Sequence, residues 1–237
     1  MLQIKIKVFL LSVLLFFFLP LSAQYVNNIY ELKNDSIECL KNISVYKEFQ
    51  KLNFYDKAIP AWELTYKSCK GFKKIIYQDG VKFLTYALQK ESDQKKRELL
   101  VDSLMHIYEE RIKYFGQEGY VRGRQGIDLL VYGNNQLEKV YDLLKKSFEL
   151  QKNNTEESVI VAYMTTVEAM FSREKKTKEE VVDVYLKCIE TLESIHKGEK
   201  ETTKLKNIET AIEAVDNIFG KSKAADCESL VSAFSDK

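Results

Sequence analysis

Apolar residues recur with the period of an α-helix through most of the chain, and very little interrupts them. After Pro20 the sequence contains one further proline, Pro60. The segment 177–196 illustrates the spacing, with apolar side chains at Val181, Val184, Cys188, Ile189, Leu192 and Ile195. Intervals of three and four residues place these side chains on one helix face, whereas a half-buried strand requires strict alternation. The chain is therefore predicted to be all-α.

Short breaks are predicted to separate the helices. Similar apolar stripes fill the segments 136–150, 155–173 and 201–219. Thr177 and Glu180 have the spacing of a capping box, which starts one helix, and Gly220 is predicted to end another in the left-handed conformation. Short connections make neighbouring helices antiparallel. We expect roughly ten helices in about five antiparallel hairpins, which is the arrangement of a helical solenoid.

Residues 1–23 have the pattern of a secretory signal peptide. Lys5 and Lys7 precede an apolar run over residues 8–19, and Ala23 is the small residue before the predicted cut. The run is too short to span a bilayer, for which about 20 apolar residues are needed. We predict cleavage after Ala23, export to the periplasm and no transmembrane span in the mature chain. An uncleaved membrane anchor is the alternative interpretation.

The mature chain is predicted to contain one helical domain. Residues 24–41 form a lead-in segment, and residues 42–237 form the solenoid of helix hairpins. Loss of the signal peptide removes two lysines and no acid, so the formal net charge falls from +1 to −1. A nearly neutral chain has no global field that attracts nucleic acid or an anionic membrane. A nucleic-acid partner is therefore not expected.

Four cysteines enter an oxidising compartment if the chain is exported, so disulfide pairing is expected. Cys39 lies just before the first predicted helix and Cys69 just after the second. Because these two ends of an antiparallel hairpin are neighbours, we predict a Cys39–Cys69 disulfide, with two buried free thiols as the alternative. Cys188 and Cys227 are left for each other, although the position of Cys188 on an apolar helix face also suits a buried free thiol.

The stretch 111–130 holds four of the nine glycines and raises the question of a phosphate-binding loop. The spacing of Gly116, Gly119, Gly123 and Gly126 fits neither of the common phosphate-loop patterns. Gly116 is predicted to end a helix and Gly119 to lie in the turn. Gly123 and Gly126 fall on one face of the next helix, where small residues let another helix approach closely. A helix turn is therefore predicted, and no cofactor.

The same stretch supplies the candidate partner-binding residues. Arginine and aromatic side chains are common anchors at protein interfaces. The candidates are Arg111, Tyr114, Tyr120, Arg122 and Arg124. In the alternative interpretation the arginines are solvated or paired with nearby acids, and the aromatic side chains belong to the core.

Catalytic and metal-binding patterns are scarce. The chain has only two histidines, His106 and His196, and neither has a second histidine or a spaced carboxylate that would form a metal site with it. No C-x-x-C, G-x-S-x-G or H-E-x-x-H motif occurs. No catalytic, cofactor-binding or metal-binding residue is predicted. An enzyme acting on envelope polymers stays the main alternative, because catalytic groups can meet in space without a sequence motif.

One segment resembles a tetratricopeptide repeat. The matching residues are Val45-Tyr-Lys-Glu-Phe49, Tyr55-Asp-Lys-Ala58 and Trp62. The resemblance implies that Ala58 lies where two helices approach closely and that Phe49, Tyr55 and Trp62 fill the core of the hairpin. Tyr46 stands where the repeat has a glycine and Lys70 where it has the closing proline.

Four longer segments resemble a family of exported tetratricopeptide-like proteins from Bacteroidota. They are NISVYKEFQK, DGVKFL, RIKYFGQEGYVRGRQGIDLL and AADCESLVSAF. The resemblance implies a tetratricopeptide-like superhelix and a non-enzymatic periplasmic scaffold for a protein partner in the cell envelope. A structural component of a larger envelope assembly is a further alternative. Asp35-Ser36-Ile37 also matches the acceptor pattern for O-linked sugars in exported proteins of that group, so Ser36 is a candidate glycosylation site.

Overall fold

The computed structural model describes residues 20–224, and the side chains of residues 35–224. Within this part the chain forms nine α-helices, one short 3-10 helix and no strand, which confirms the all-α prediction. The helices are α1 (Pro20–Lys51), α2 (Tyr55–Ser68), α3 (Lys74–Lys90), α4 (Gln94–Phe115), α5 (Glu118–Tyr132), α6 (Leu137–Gln151), α7 (Glu157–Phe171), α8 (Lys178–Gly198) and α9 (Thr202–Ser222), and the 3-10 helix Lys152–Asn154 follows α6.

The chain divides into two compact units, residues 1–79 and 80–237. In the first unit α1 packs against α2. The predicted Cys39–Cys69 disulfide is confirmed: it joins α1 to the residue after α2, with the two Cα atoms 5.7 Å apart. Cys188 is a free thiol buried in α8. Cys227, the partner predicted for it, lies outside the described residues, so the second disulfide is not part of the described structure.

The core of the first unit matches the repeat-like segment in part. Ala58 and Trp62 are buried, as the resemblance implied, and the Trp62 indole donates a hydrogen bond to the carbonyl of Ile76 at 2.8 Å. Phe49 and Tyr55 are only half-buried. Tyr46, which stands where the repeat has a glycine, is fully buried and so contributes more to the core than Phe49 or Tyr55.

The predicted lead-in segment is helical in the structure. Residues 24–41 belong to α1, which begins at Pro20 and continues without a break to Lys51. Proline suits the first turn of a helix because its missing N–H has no partner there in any case. Ser36, the candidate glycosylation site, is half-buried in this helix. Residues 1–19, which hold most of the predicted signal peptide, lie outside the described residues.

In the second unit each helix from α5 to α9 packs against its neighbours in sequence. Two further contacts skip one helix: α5 packs against α7, and α7 packs against α9. The predicted apolar stripes face these contacts. In α7 the buried stripe is Val159, Tyr163, Val167 and Met170, and in α8 it includes Val181, Val184, Cys188 and Leu192.

Two of the three predicted signals for a helix start or stop are confirmed, at Thr177 and at Gly116, and the third, at Gly220, is wrong. The Thr177 hydroxyl accepts a hydrogen bond from the Glu180 amide and the Glu180 carboxylate accepts one from the Thr177 amide, which confirms the capping box at α8. Gly116, with φ of 64°, ends α4 as predicted. Gly220 does not end its helix. α9 continues two residues further to Ser222, whose buried hydroxyl accepts a hydrogen bond from the Ala224 amide at 3.1 Å.

The glycines of α5 allow a close helix contact. A Cβ atom added at Gly123 would lie 2.7 Å from Ser147 Oγ and 2.8 Å from Val159 Cγ2, and one added at Gly126 would lie 2.7 Å from Leu144 Cδ2. The predicted close packing at these two positions is confirmed. Gly119 was predicted in the turn, but it lies in the first turn of α5.

We expect opposite effects from alanine at two helical glycines. Gly123→Ala should lower the free energy of unfolding by about 1 kcal/mol, because overpacking of about 1–3 kcal/mol exceeds a gain in helix propensity of about 1 kcal/mol. Gly220→Ala is the control: no described residue lies within 4 Å of its added Cβ, so it should stabilise by up to about 1 kcal/mol. Urea unfolding of both variants checks this, and stabilisation by both would contradict the tight contact.

Candidate binding site

Helices α4 and α5 bring a set of arginine, tyrosine and acidic side chains together. On α5, Tyr120, Arg124 and Asp128 recur every four residues and so share one face. On α4, Tyr108 and Arg111 are three residues apart and also share a face. Glu156, at the N-terminal cap of α7, completes the set. We call these six residues the arginine–tyrosine cluster.

The Tyr120 ring is the centre of this cluster. The guanidinium carbon of Arg111 lies 5.3 Å from the ring centroid, and that of Arg124 lies 5.7 Å from it. Both distances are within the range in which a cation is attracted to an aromatic face. One aromatic side chain therefore holds two positive charges, one from each helix.

The two arginines differ in how their charges are balanced. Arg124 Nη2 donates a 2.6 Å hydrogen bond to Glu156 Oε1 in an ion pair. Arg111 is only 5% exposed and has no ion pair with any described residue. Burial lowers the pKa of Arg111, and the charge of Arg124 acts in the same direction, while Tyr120 and Tyr108 oppose them. Arginine nevertheless stays protonated in proteins, so Arg111 is a buried and uncompensated cation.

Unsatisfied polar atoms concentrate in the same place. Across the described side chains, the fully buried nitrogen and oxygen atoms that lack a hydrogen-bond partner are Arg111 Nε, Arg124 Nε and Glu156 Oε2. All three belong to the arginine–tyrosine cluster. Buried polar groups in folded proteins are paired in the great majority of cases, so each exception calls for an explanation.

Tyr108 and Asp128 form the other polar contact of the cluster. The Tyr108 hydroxyl donates a 2.6 Å hydrogen bond to Asp128 Oδ2. Burial raises the pKa of Asp128, although the hydrogen bond from Tyr108 and the charge of Arg124 act against this rise. Burial also raises the pKa of Tyr108, and the neighbouring Asp128 carboxylate adds to the effect. Tyr108 is thus held as a neutral donor facing a carboxylate.

The structure unites three of the five predicted partner-binding residues. Arg111, Tyr120 and Arg124 lie together, as described above. Arg122 occupies another face of α5, where it pairs with Glu109 and with Glu118 and leaves 18% of its side chain exposed. Tyr114, near the end of α4, is 38% exposed. For Arg122, the alternative of pairing with nearby acids is the one that the structure shows.

Sequence reasoning did not include Tyr108, Asp128 and Glu156 in this site. Two of them carried a usable signal, because Asp128 continues the four-residue spacing of Tyr120 and Arg124, and Tyr108 lies one turn before Arg111. Glu156 carried none, since it lies 32 residues from Arg124 and meets it only through the packing of α7.

Other polar features of the described residues are weaker candidates. A cleft of about 320 Å³ at the start of α4 is lined by Gln94, Arg97, Glu98, Val101, Asp102, Tyr132, Asn134 and Gln136. His106 lies 3.8 Å from Glu110 and His196 lies 3.5 Å from Glu209. Between residues 20 and 224 no group of three or more histidine, cysteine or acidic side chains is placed to hold a metal ion. In the same part, no helix combines the length and the apolar character needed to cross a membrane.

Comparison of the chain with protein-family models gives no match, and comparison with curated proteins gives none either.

Removal of the Tyr108 hydroxyl should destabilise the protein in a pH-dependent way. Tyr108→Phe leaves the buried Asp128 carboxylate without its donor, at an expected cost of about 1–3 kcal/mol. A carboxyl whose folded pKa is raised stabilises the fold when protonated, and this contribution is lost as the pH rises through the folded pKa. Because the lost hydrogen bond had opposed the rise in the pKa of Asp128, the deficit should be larger at pH 7 than at about pH 4.

The control for Tyr108→Phe is a second tyrosine–aspartate pair in the same chain. Tyr185 donates a 2.9 Å hydrogen bond to Asp216 at an exposed position on α8 and α9. Tyr185→Phe should cost about 0.5 kcal/mol or less, since water can replace the lost donor. Chemical unfolding at several pH values compares the two variants. Equal costs, or a Tyr108→Phe deficit that grows toward acidic pH, would be inconsistent with the geometry described here.

Proposed function

We propose that this protein is a non-enzymatic scaffold that binds a protein partner in the periplasm through a tetratricopeptide-like stack of helix hairpins. The observation that carries the proposal is the packing of alternate helices in the second unit, where α5 packs against α7 and α7 against α9. Hairpins that stack in this way bury a continuous core between repeats. They also line up equivalent helix faces into an extended surface, which such proteins use for binding.

One face of α5 supports the choice of a protein partner. Tyr120 and Arg124 lie on it, and Val131, seven residues after Arg124, shares the same face. Val131 leaves 64% of its surface exposed and so is accessible to a partner. An arginine, a tyrosine and an exposed aliphatic side chain on one face are a typical composition for an interface anchor.

Two observations support the periplasm as the location. Residues 1–23 carry the signal-peptide pattern, and Cys39 and Cys69 form a disulfide. Structural disulfides persist in oxidising compartments such as the periplasm and are rare in the cytosol.

The export proposal predicts a definite product in cells. Protein recovered from the periplasmic fraction should have a mass that begins at Gln24 and should contain Cys39 and Cys69 as one disulfide-linked pair. Mass spectrometry of the intact and reduced protein measures both features. A Cys39→Ser variant should keep the same N-terminus but lose the linkage. A cytoplasmic chain that begins at Met1 with both thiols reduced would contradict this location.

The binding proposal is tested by photo-crosslinking in intact cells. A photoreactive residue at Val131 should give one discrete adduct with another protein, because this position is exposed beside the arginine–tyrosine cluster. The matched control is Lys187, which is exposed on α8 and pairs with Asp183 one turn earlier. This position should give no such adduct.

Three results would count against a scaffold with a surface on α5. They are no adduct at either position, the same adducts at both positions, or adducts with a second copy of the chain alone. The last result would favour a self-assembling structural protein. The captured protein must also bind the purified scaffold, and Val131→Glu should weaken that binding by at least about tenfold, as expected for a central anchor.

A further inference from the structure

We propose that the arginine–tyrosine cluster is a carboxylate-binding site, in which Arg111 and Arg124 receive an acidic group of the partner beside the Tyr120 ring. This inference rests on the proposed function and deepens it, because it names the chemistry by which the partner is recognised. The ligand class is a carboxylate, which a partner can supply from an aspartate or glutamate side chain or from its own C-terminus.

The first argument is the uncompensated charge of Arg111. Buried ionic side chains in proteins are almost always paired, because desolvation of a lone charge is costly. Arg111 is 95% buried, and its recorded interaction is with the Tyr120 ring rather than with a carboxylate of the described chain. An anion from outside the described chain would provide the missing charge.

The second argument is the set of unsatisfied donors. Arg111 Nε and Arg124 Nε are buried and have no acceptor, and both guanidinium groups lie against the same ring. A water molecule could satisfy one donor, but it would leave the positive charge of Arg111 unbalanced. A carboxylate has two oxygens and a negative charge, so it can accept hydrogen bonds from both guanidinium groups and also balance the charge of Arg111.

The third argument selects a carboxylate over a phosphate group. Glu156 already neutralises Arg124, and the Asp128 carboxyl lies in the same cluster. No acid among the described residues acts on the charge of Arg111, so one monovalent anion balances it, whereas a dianionic phosphate would be repelled by Glu156 and by the Asp128 carboxyl. A planar guanidinium held by an aromatic face also matches the planar carboxylate group.

The site is tested by NMR titration of the purified protein, with the arginine Nε–H signals as the readout. The probes are acetyl-glutamate N-methylamide and acetyl-glutamine N-methylamide, which differ only in the carboxylate. The glutamate probe should shift the Arg111 and Arg124 signals in a saturable way, and the glutamine probe should bind at least tenfold more weakly. Acetyl-glutamine with a free carboxylate tests a main-chain terminus as the source. Binding of that probe also supports the site.

Matched variants assign the effect to Arg111. Arg111→Gln should weaken binding of the glutamate probe at least tenfold. Lys113→Gln removes the same charge two residues away on α4, where the lysine is exposed, and should leave the affinity within twofold of the wild type. If Arg111→Gln does not fold, the comparison of the two probes with the wild-type protein still decides the question.

Several outcomes would overturn the site. They are equal responses to the glutamate and glutamine probes, equal losses in the Arg111 and Lys113 variants, or inorganic phosphate binding more tightly than the glutamate probe. Failure here is distinguishable from failure of the scaffold. If a partner is captured at Val131 but no carboxylate binds, the scaffold proposal stands and the carboxylate site is wrong. If a carboxylate binds but no partner is captured, the site stands and the scaffold proposal is wrong.

Discussion

The close contact between α5 and the helices that follow it determines the geometry of the candidate site. Gly123 has space for no Cβ because Ser147 of α6 and Val159 of α7 lie against it. This contact fixes the rotation of α5 about its axis and with it the direction of the adjacent face, which carries Tyr120 and Arg124. It also holds the first turn of α7 beside α5. Glu156, three residues before Val159, is thereby held within hydrogen-bond distance of Arg124, so the helix packing positions the ion pair.

The pattern of apolar residues was sufficient to predict the helices but not all of their ends. Amphipathic stripes and capping signals are local, so α7, α8 and the end of α4 at Gly116 follow from the sequence alone. The prediction that α9 ends at Gly220 was wrong because the end of a helix depends on which groups bind its last polar backbone atoms. Here the buried Ser222 hydroxyl supplies that contact beyond the glycine. The first helix was predicted to start after Cys39 but starts at Pro20, because no local signal between Gln24 and Lys41 stops a helix that has begun there.

The site was predictable to the extent that its residues share a helix face. Arg111, Tyr120 and Arg124 were identified as candidates from residue type and proximity along the chain. Arg122 was included for the same reason, although a shift of two residues turns a side chain to another face of the helix. That rotation is why Arg122 pairs with Glu109 and Glu118 instead. The partner of Arg124 could not be predicted, because it depends on how α7 packs on α5.

The first unit contains a buried charge that shows how this chain satisfies such a group when no ligand is involved. Asp79 is fully buried and accepts hydrogen bonds from Tyr46 at 3.1 Å and Gln50 at 3.4 Å, while the Lys47 ammonium lies 2.7 Å away. Arg111 is 5% exposed and has no ion pair with a carboxylate among the described residues. Stability alone would favour a paired or an apolar side chain at position 111. Unsatisfied groups in folded proteins concentrate at functional sites. A buried cation without a counter-ion therefore fits a site that receives an acidic group from another molecule.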